Sequence, residues 1–266
     1  MRGVIHEGDD NGIHGVPGPG GRAGVCRMIA FASAEPRDVA PFLARLAAFS
    51  RSGNLVDGWE RRPEGNHPDG WGVAYGKGSS MSVVRSGKPA GTDPHLGEVA
   101  AKTTRFIGHV RYASNPETVN AGNSHPFLCG GIALAQNGTF KGRIGQEADA
   151  RKASDTLVFA EILAAAWSDR TLGGLREALS RLLGDSGLVG DYSAANLLIA
   201  AGTSLFAVRK FRRNADYYTL YLYSGEGLAV VASEPLDDRP GWRLLADGEL
   251  VALPGPSPRS LSLSEG

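Results

Sequence analysis

The stretch Arg27-Met28-Ile29-Ala30-Phe31-Ala32-Ser33-Ala34 is small and apolar along almost its whole length. That is the pattern of a strand buried on both faces, which needs cover on both sides. Before it, residues 1–24 carry Gly3, Gly8, Gly12, Gly15, Gly18, Gly20, Gly21 and Gly24 with almost nothing to pack. Such a composition cannot offset the entropy of ordering, so residues 1–25 are expected to be a disordered leader or a mis-assigned start, absent from the active form. Cys26 stands on the border between the two. A cysteine there is either a small apolar residue at a strand start or the first residue of the working chain. In the second case a thiol and a free α-amine share one residue. An α-amine titrates near ~8, so it can take the thiol proton and later hand it to a leaving group. Two routes expose Cys26: cleavage after Val25, or translation from a GUG codon at Val25 followed by removal of the initiator methionine. The second is favoured, because a structureless leader gives processing little to act on.

Charge narrows the functional classes. The 28 basic and 28 acidic side chains cancel, leaving no electrostatic footprint for nucleic acid. The run Arg209-Lys210-Phe211-Arg212-Arg213 is the local exception and reads as a solvated strand end or turn. No apolar stretch reaches the roughly 18 residues that span a bilayer; the longest, Ala194 to Val208, is broken by Asn196, Gly202, Thr203 and Ser204. Glu7, Asp9 and Asp10 occupy the place where a secretory signal is apolar. Cys26 and Cys129 are the two cysteines and imply no disulfide framework. A cytoplasmic protein with free thiols, without a membrane or nucleic-acid partner, is expected.

Along the chain, strand one is predicted from about Arg27 to Ala34. Glu35-Pro36 then opens a helix whose apolar face is Val39, Phe42, Leu43, Leu46 and Phe49. A loop follows from Asn54 to Asp69. Strands are predicted at Val73–Tyr75 and Ser82–Arg85 around a turn at Gly76 to Ser79, then at Phe106–Tyr112 after a short helix from Pro94 to Lys102. Gly131–Gln136 is a further strand, ending on the turn signal Asn137-Gly138. Helices begin at Ser154-Asp155 and at Thr171. The last third reads as strands at Asn196–Ala201, Ser204–Lys210, Thr219–Tyr223, Gly227–Ser233 and Glu249–Leu253. Residues 254–266, rich in Pro and Ser, read as a flexible tail. Helices set between two blocks of hairpin-connected strands indicate an α+β fold.

Four short stretches line up behind Cys26: Asp69-Gly70-Trp71-Gly72; His109-Val110-Arg111-Tyr112-Ala113-Ser114; Asn123-Ser124-His125-Pro126-Phe127 with Gln136-Asn137-Gly138; and Ser154-Asp155-Thr156. In this order they resemble the class II glutamine amidotransferases, which are N-terminal nucleophile (Ntn) hydrolases. The likeness runs from Cys26 to roughly Asp155 by motif and through the later strands by pattern. It implies an Ntn-hydrolase four-layer αββα sandwich with two antiparallel sheets, occupying residues 26–253. It also implies roles. Cys26 is the nucleophile. Arg111 grips the α-carboxylate of a glutamyl head with its planar fork, and Asp155 takes the α-ammonium. Asn137 and Gly138 supply an oxyanion hole, whereas an Asn-Gly pair by itself is as readily a hairpin turn. Tyr112 and Ser114 line the pocket. Asp69, Gly70, Trp71 and Gly72 form a supporting loop whose glycines admit the backbone close to Cys26.

His125 is expected to be structural, since the amine of Cys26 supplies the base. His109 and His125 lack ligand-spaced partners, so no metal and no cofactor is expected. Cys129 reads as a packing residue. The chain ends without the synthetase or isomerase module that commonly consumes the ammonia, and so looks like the stand-alone members, some of which hydrolyse γ-glutamyl amides of small thiol compounds. The expected partner is a small-molecule substrate, glutamine or a γ-glutamyl amide. Delivery of ammonia to a separate synthetase, and a non-catalytic γ-glutamyl sensor with a blocked terminus, are the alternatives.

Overall fold

The computed structural model describes residues 26–53, 63–225, 227–253 and 259–263. The predicted leader, residues 1–25, and residues 54–62 of the predicted loop lie outside them. Strands and helices follow in the order β1 (Arg27–Asp38), α1 (Ala40–Arg51), β2 (Trp71–Lys77), β3 (Ser80–Ser86), α2 (Pro94–Gly97), β4 (Lys102–Val110), β5 (Phe127–Cys129) and β6 (Ile132–Asn137). Then come α3 (Gly142–Arg151), α4 (Asp155–Ala166), α5 (Leu172–Gly184), α6 (Ser186–Val189), β7 (Asn196–Ala201) and β8 (Ser204–Arg209). Strands β9 (Tyr221–Gly225), β10 (Leu228–Ala232), β11 (Arg243–Leu244), β12 (Glu249–Ala252) and β13 (Arg259–Ser262) complete the order.

The described residues form two antiparallel sheets, one of seven strands in the order β11-β9-β10-β1-β4-β2-β3 and one of six in the order β13-β12-β8-β7-β6-β5. Strand β1 lies between β10 and β4, so its apolar run is interior as the sequence demands. Its side chains alternate between two cores, because successive Cβ atoms point to opposite faces. Ile29 and Phe31 pack with Val39, Leu43, Leu46 and Phe49 of the α1 segment. Met28, Ala30 and Ala32 face the other sheet, meeting Ala133, Ala135, Leu198 and Ala207. On its far side the six-stranded sheet turns Ile132, Leu134, Leu197 and Ile199 toward Phe159, Leu163, Leu175 and Leu179 of α4 and α5. The result is the four-layer αββα sandwich of the Ntn type. The middle layer interleaves alanines (Ala30, Ala133, Ala135, Ala200, Ala207) with larger side chains (Met28, Ile107, Leu198, Leu205, Leu222), so small and large residues interlock between the two sheets.

Several features differ from expectation, among them the unpredicted short elements β5, α6 and β11 and an α2 that ends at Gly97. Strand β1 runs on to Asp38, and its register shifts between Ala32 and Arg37. That irregular stretch absorbs Pro36, which has no N–H for a ladder, and Pro41 rather than Pro36 occupies the first turn of α1. Helix α3 is unpredicted because Gly142 and Gly145 interrupt it and its buried residues reduce to Ile144 and Ala148. Arg209 is not solvated: its guanidinium is buried and donates to the carbonyls of Tyr218, Leu245 and Ala215 at 2.8–2.9 Å. The stretch read as a tail contributes β13, paired with β12; residues 254–258 and 264–266 are outside the described residues. Among those, no helix is long and apolar enough to cross a membrane.

Ala133 is fully buried between the sheets, so enlarging it should wedge them apart. Ala133→Leu is expected to destabilise the fold by about 1–3 kcal/mol, the usual cost of overpacking. The midpoint of urea unfolding reads this; an unchanged midpoint would mean that the layer holds spare volume.

Candidate active site

The first described residue meets the end of the other sheet. The Cys26 main-chain nitrogen donates to Asn137 Oδ1 at 2.9 Å, and both residues are buried. With Oδ1 occupied, Asn137 presents Nδ2, which is buried and has no hydrogen-bond partner among the described residues. A buried amide donor left unmatched is costly, and it is the arrangement expected where charge develops only during a reaction. The Cys26 Sγ lies 3.9 Å from the Tyr112 carbonyl oxygen. Arg27, paired with Glu234 in a buried ion pair, turns Nη1 to the Cys26 carbonyl at 3.3 Å and so fixes the main chain there.

Asn137-Gly138 is not a hairpin turn. The chain leaves β6 through Gly138 at φ +140°, and a Cβ there would sit 1.8 Å from the Ala194 carbonyl oxygen; only glycine fits. It then runs beside Ser193, with Thr139 N donating to Ser193 Oγ at 3.0 Å. Phe140 N donates to Asp155 Oδ2 at 2.6 Å. The loop after β6 thus links Asn137 to the start of α4.

Arg111 and Asp155 share a cavity of about 370 Å³, walled also by Ser114, Thr118, Phe140 and, from α3, Gln146 and Asp149. The guanidinium is held by Thr118, Nη1 to the carbonyl and Nη2 to Oγ1, each at 2.8 Å. Burial lowers the Arg111 pKa, while Cys26 as thiolate, Asp155 and Asp69 oppose that and favour its charge. Asp155 follows the N-cap Ser154 of α4, where the helix end favours an anion. Its Oδ1 accepts Thr156 N at 2.9 Å. Burial nevertheless pushes its pKa up, against the Phe140 and Thr156 donors and Arg111. A carboxylate in that condition gains from an incoming cation.

The supporting loop does its work differently from expectation. Asp69 N donates to the Arg111 carbonyl at 3.0 Å and Arg111 N to the Gly70 carbonyl at 2.8 Å, while Asp69 Oδ2 accepts Ala113 N at 2.9 Å. Asp69 and Gly70 therefore hold the Arg111 loop. A Cβ on Gly72 would fall 2.3 Å from the His125 carbonyl oxygen, so the close approach is to the His125 segment and not to Cys26. Trp71 is fully buried, with its indole N–H on Asp93 at 3.0 Å. Tyr112 contributes its carbonyl beside the thiol and does not line the cavity; Ser114 does, from an exposed position.

Behind the site, His109 Nε2 and His125 Nδ1 each lie 3.2 Å from the Gln136 carbonyl, and the two rings are 4.2 Å apart. Burial chiefly, with Arg111 nearby, lowers the His109 pKa to about 3 and that of His125 well below the usual range, where His109 adds to the effect. Both are neutral at physiological pH. Cys129, on β5, is half-buried and its thiol pKa is raised by burial. No group of three His, Cys, Asp or Glu side chains among the described residues could hold a metal. Sequence reasoning missed Thr118 and the α3 wall, and gave Arg27 and Gln136 no role although Gln136 lies inside the Gln136-Asn137-Gly138 motif.

A two-sheet Ntn fold with this arrangement around Cys26 defines a class, and sequence comparison supplies the family. The chain belongs to the class-II glutamine amidotransferases, whose family model matches residues 54–223. It is similar to the γ-glutamyl-hercynylcysteine sulfoxide hydrolase of Mycolicibacterium smegmatis, 28% identical over 233 residues that cover 85% of this chain and 95% of that protein. The protein of the same name from Mycobacterium tuberculosis is 28% identical over 185 residues, 69% of this chain and 74% of its own length. Among solved structures, a glutamine aminotransferase class-II domain protein from Silicibacter pomeroyi matches with a TM-score of 0.59 and 19% identity, covering 90% of this chain and 100% of that one. Glutamine phosphoribosylpyrophosphate amidotransferase from B. subtilis gives 0.58 and 20%, covering 91% of this chain and 50% of that one. At such identities these two structures speak for the fold.

The buried histidines make acid stability a test of the geometry. An unfolded histidine takes up a proton below about 6.5, whereas the His109 ring in place does so only near about 3. Between those values the unfolded chain binds more protons, so stability falls as the pH drops, by up to about 1.4 kcal/mol per pH unit for such a ring. Thermal unfolding from pH 7 to pH 4 should show a flatter decline for His109→Gln than for the wild type. Parallel curves would place a charged or solvated ring at this position.

Proposed function

We propose that this protein is an amidohydrolase that cleaves the γ-amide of glutamine or of a γ-glutamyl compound, with Cys26 as an amino-terminal nucleophile. The observation that carries the reading is the Asn137 side chain: its Oδ1 is taken by the Cys26 nitrogen and its Nδ2 is buried and unmatched. That donor stands next to Cys26, and the neighbouring Arg111 and Thr139 line a cavity that offers a cation and, in Asp155, an anion. The names of the mycobacterial relatives, hydrolases of a γ-glutamyl compound, support hydrolysis over transfer.

In this reading Arg111 binds the α-carboxylate and Asp155 the α-ammonium, with Ser114 on the pocket wall and the Tyr112 carbonyl beside the thiol. The freed α-amine of Cys26 takes the thiol proton, and the sulfur attacks the γ-carbonyl carbon. Asn137 Nδ2 and the Gly138 N–H receive the oxyanion. The protonated amine gives its proton to the departing nitrogen, the C–N bond breaks, and a γ-glutamyl thioester remains. Water, deprotonated by the same amine, attacks the thioester; glutamate leaves and the thiol is restored. Such a cycle needs neither metal nor cofactor. The chemistry requires the active form to begin at Cys26 and the thiol to stay reduced, which suits the cytoplasm.

Cys26→Ser is expected to abolish most turnover while the fold and substrate binding remain near wild type, since the change is nearly isosteric. Steady-state hydrolysis together with thermal unfolding checks this, and undiminished hydrolysis would place the nucleophile elsewhere, Cys129 first. Head-group recognition gives a second expectation. N-acetylglutamine lacks the ammonium and leaves Asp155 unpaired, at a cost of about 2 kcal/mol or more. Its kcat/KM should fall at least about 30-fold below that of glutamine, while a γ-glutamyl dipeptide competes with glutamine. Equal turnover of the acetylated compound would refute the role of Asp155.

A further inference from the structure

Asn137 and Asp155 sit on different elements, at the end of β6 and the start of α4, yet a glutamyl substrate would have to meet both at once. One buried residue bridges them. Gln136, immediately before Asn137, accepts Thr156 Oγ1 at 2.8 Å through its side-chain oxygen. Its carbonyl lies 3.2 Å from His125 Nδ1, and His125 Nε2 lies 3.2 Å from Ser154 Oγ. Thr156 and Ser154 flank Asp155 on either side, so two hydrogen-bonded arms run from Gln136 to the neighbours of Asp155. The remaining Gln136 donor is fixed on the Ala194 carbonyl at 3.2 Å, the same carbonyl whose position demands glycine at 138. Gln136, His125, Ser154 and Thr156 are all buried, which makes the network rigid and its partial loss expensive.

We propose that Gln136 and Thr156 are positioning residues, which set the distance between the oxyanion donor Asn137 and the ammonium-binding carboxylate Asp155. The proposal rests on the amidohydrolase reading above and adds two residues that touch no substrate. Substrates are sensed at both ends, and a displacement on the order of 1 Å at such a site can cost about 100-fold in rate. A purely structural role for Thr156 would weaken catalysis on every substrate alike. Positioning of Asp155 weakens it selectively, for substrates that carry an α-ammonium.

The experiment compares kcat/KM for glutamine with that for glutaramate, its analogue without the α-amino group, in wild type, Thr156→Val, Thr156→Ser and Gln136→Met. Thr156→Val removes the hydroxyl and keeps the shape; Gln136→Met removes the acceptor from the β6 side and serves if the first variant does not fold. Both are expected to lower the glutamine-to-glutaramate preference at least about tenfold, chiefly through KM for glutamine, and Thr156→Ser is expected to restore it. A wild type that prefers glutamine but whose preference survives in folded Thr156→Val or Gln136→Met overturns the positioning role. A wild type that hydrolyses neither compound nor any γ-glutamyl dipeptide overturns the amidohydrolase reading instead.

Discussion

The site depends on a single hydrogen bond between the two sheets, from the Cys26 nitrogen to Asn137 Oδ1. It joins the beginning of β1 in one sheet to the end of β6 in the other. It also settles which way the Asn137 amide faces, because an oxygen that accepts from Cys26 leaves the buried nitrogen as the unmatched donor. The apolar layer between the sheets brings their ends together at this point. Cys26 and Asn137 are therefore placed by the packing of the sandwich rather than by a loop.

Electrostatics around that bond follow from burial. Arg111 is buried and Asp155 partly buried at the cavity wall, where unpaired charges are costly and matched ones are selective. Arg111 has its fork satisfied by Thr118 and still faces the cavity, so it is held rigidly before any ligand arrives. The imidazoles behind the site are kept neutral by burial. They act as neutral donors and acceptors toward Gln136 and Ser154.

What the sequence revealed, it revealed through residues whose chemistry is unusual for their place. A cysteine at the edge of a glycine-rich leader, an arginine at a strand end, Asn-Gly after an apolar strand and Ser-Asp before a helix were all legible. Helix α3 was hidden by its glycines and by a buried stripe of two residues, although it forms a wall of the cavity. The clearance at Gly72 was assigned to the wrong neighbour, because His125 approaches it from a segment some fifty residues away. Arg209 reads as solvated inside a basic run, because the three backbone carbonyls that surround it come from distant segments. Gln136 and Thr156 stand inside the motifs that carry the resemblance, yet no role could be read for either, because a buried polar residue shows its purpose only when its partner is known.

The nitrogen that donates to Asn137 is an amide in any chain that continues before Cys26, and an amide has no basic lone pair with which to take the thiol proton. Freed, the same nitrogen becomes an amine with a pKa near ~8 at a position already defined by Asn137. The catalytic account turns on that change of one atom's chemistry. The most direct measurement is the intact mass and amino-terminal sequence of the protein purified in active form from its native source. The account predicts a chain that begins at Cys26 with an unmodified amine; a fully active protein that retains Met1 would contradict it.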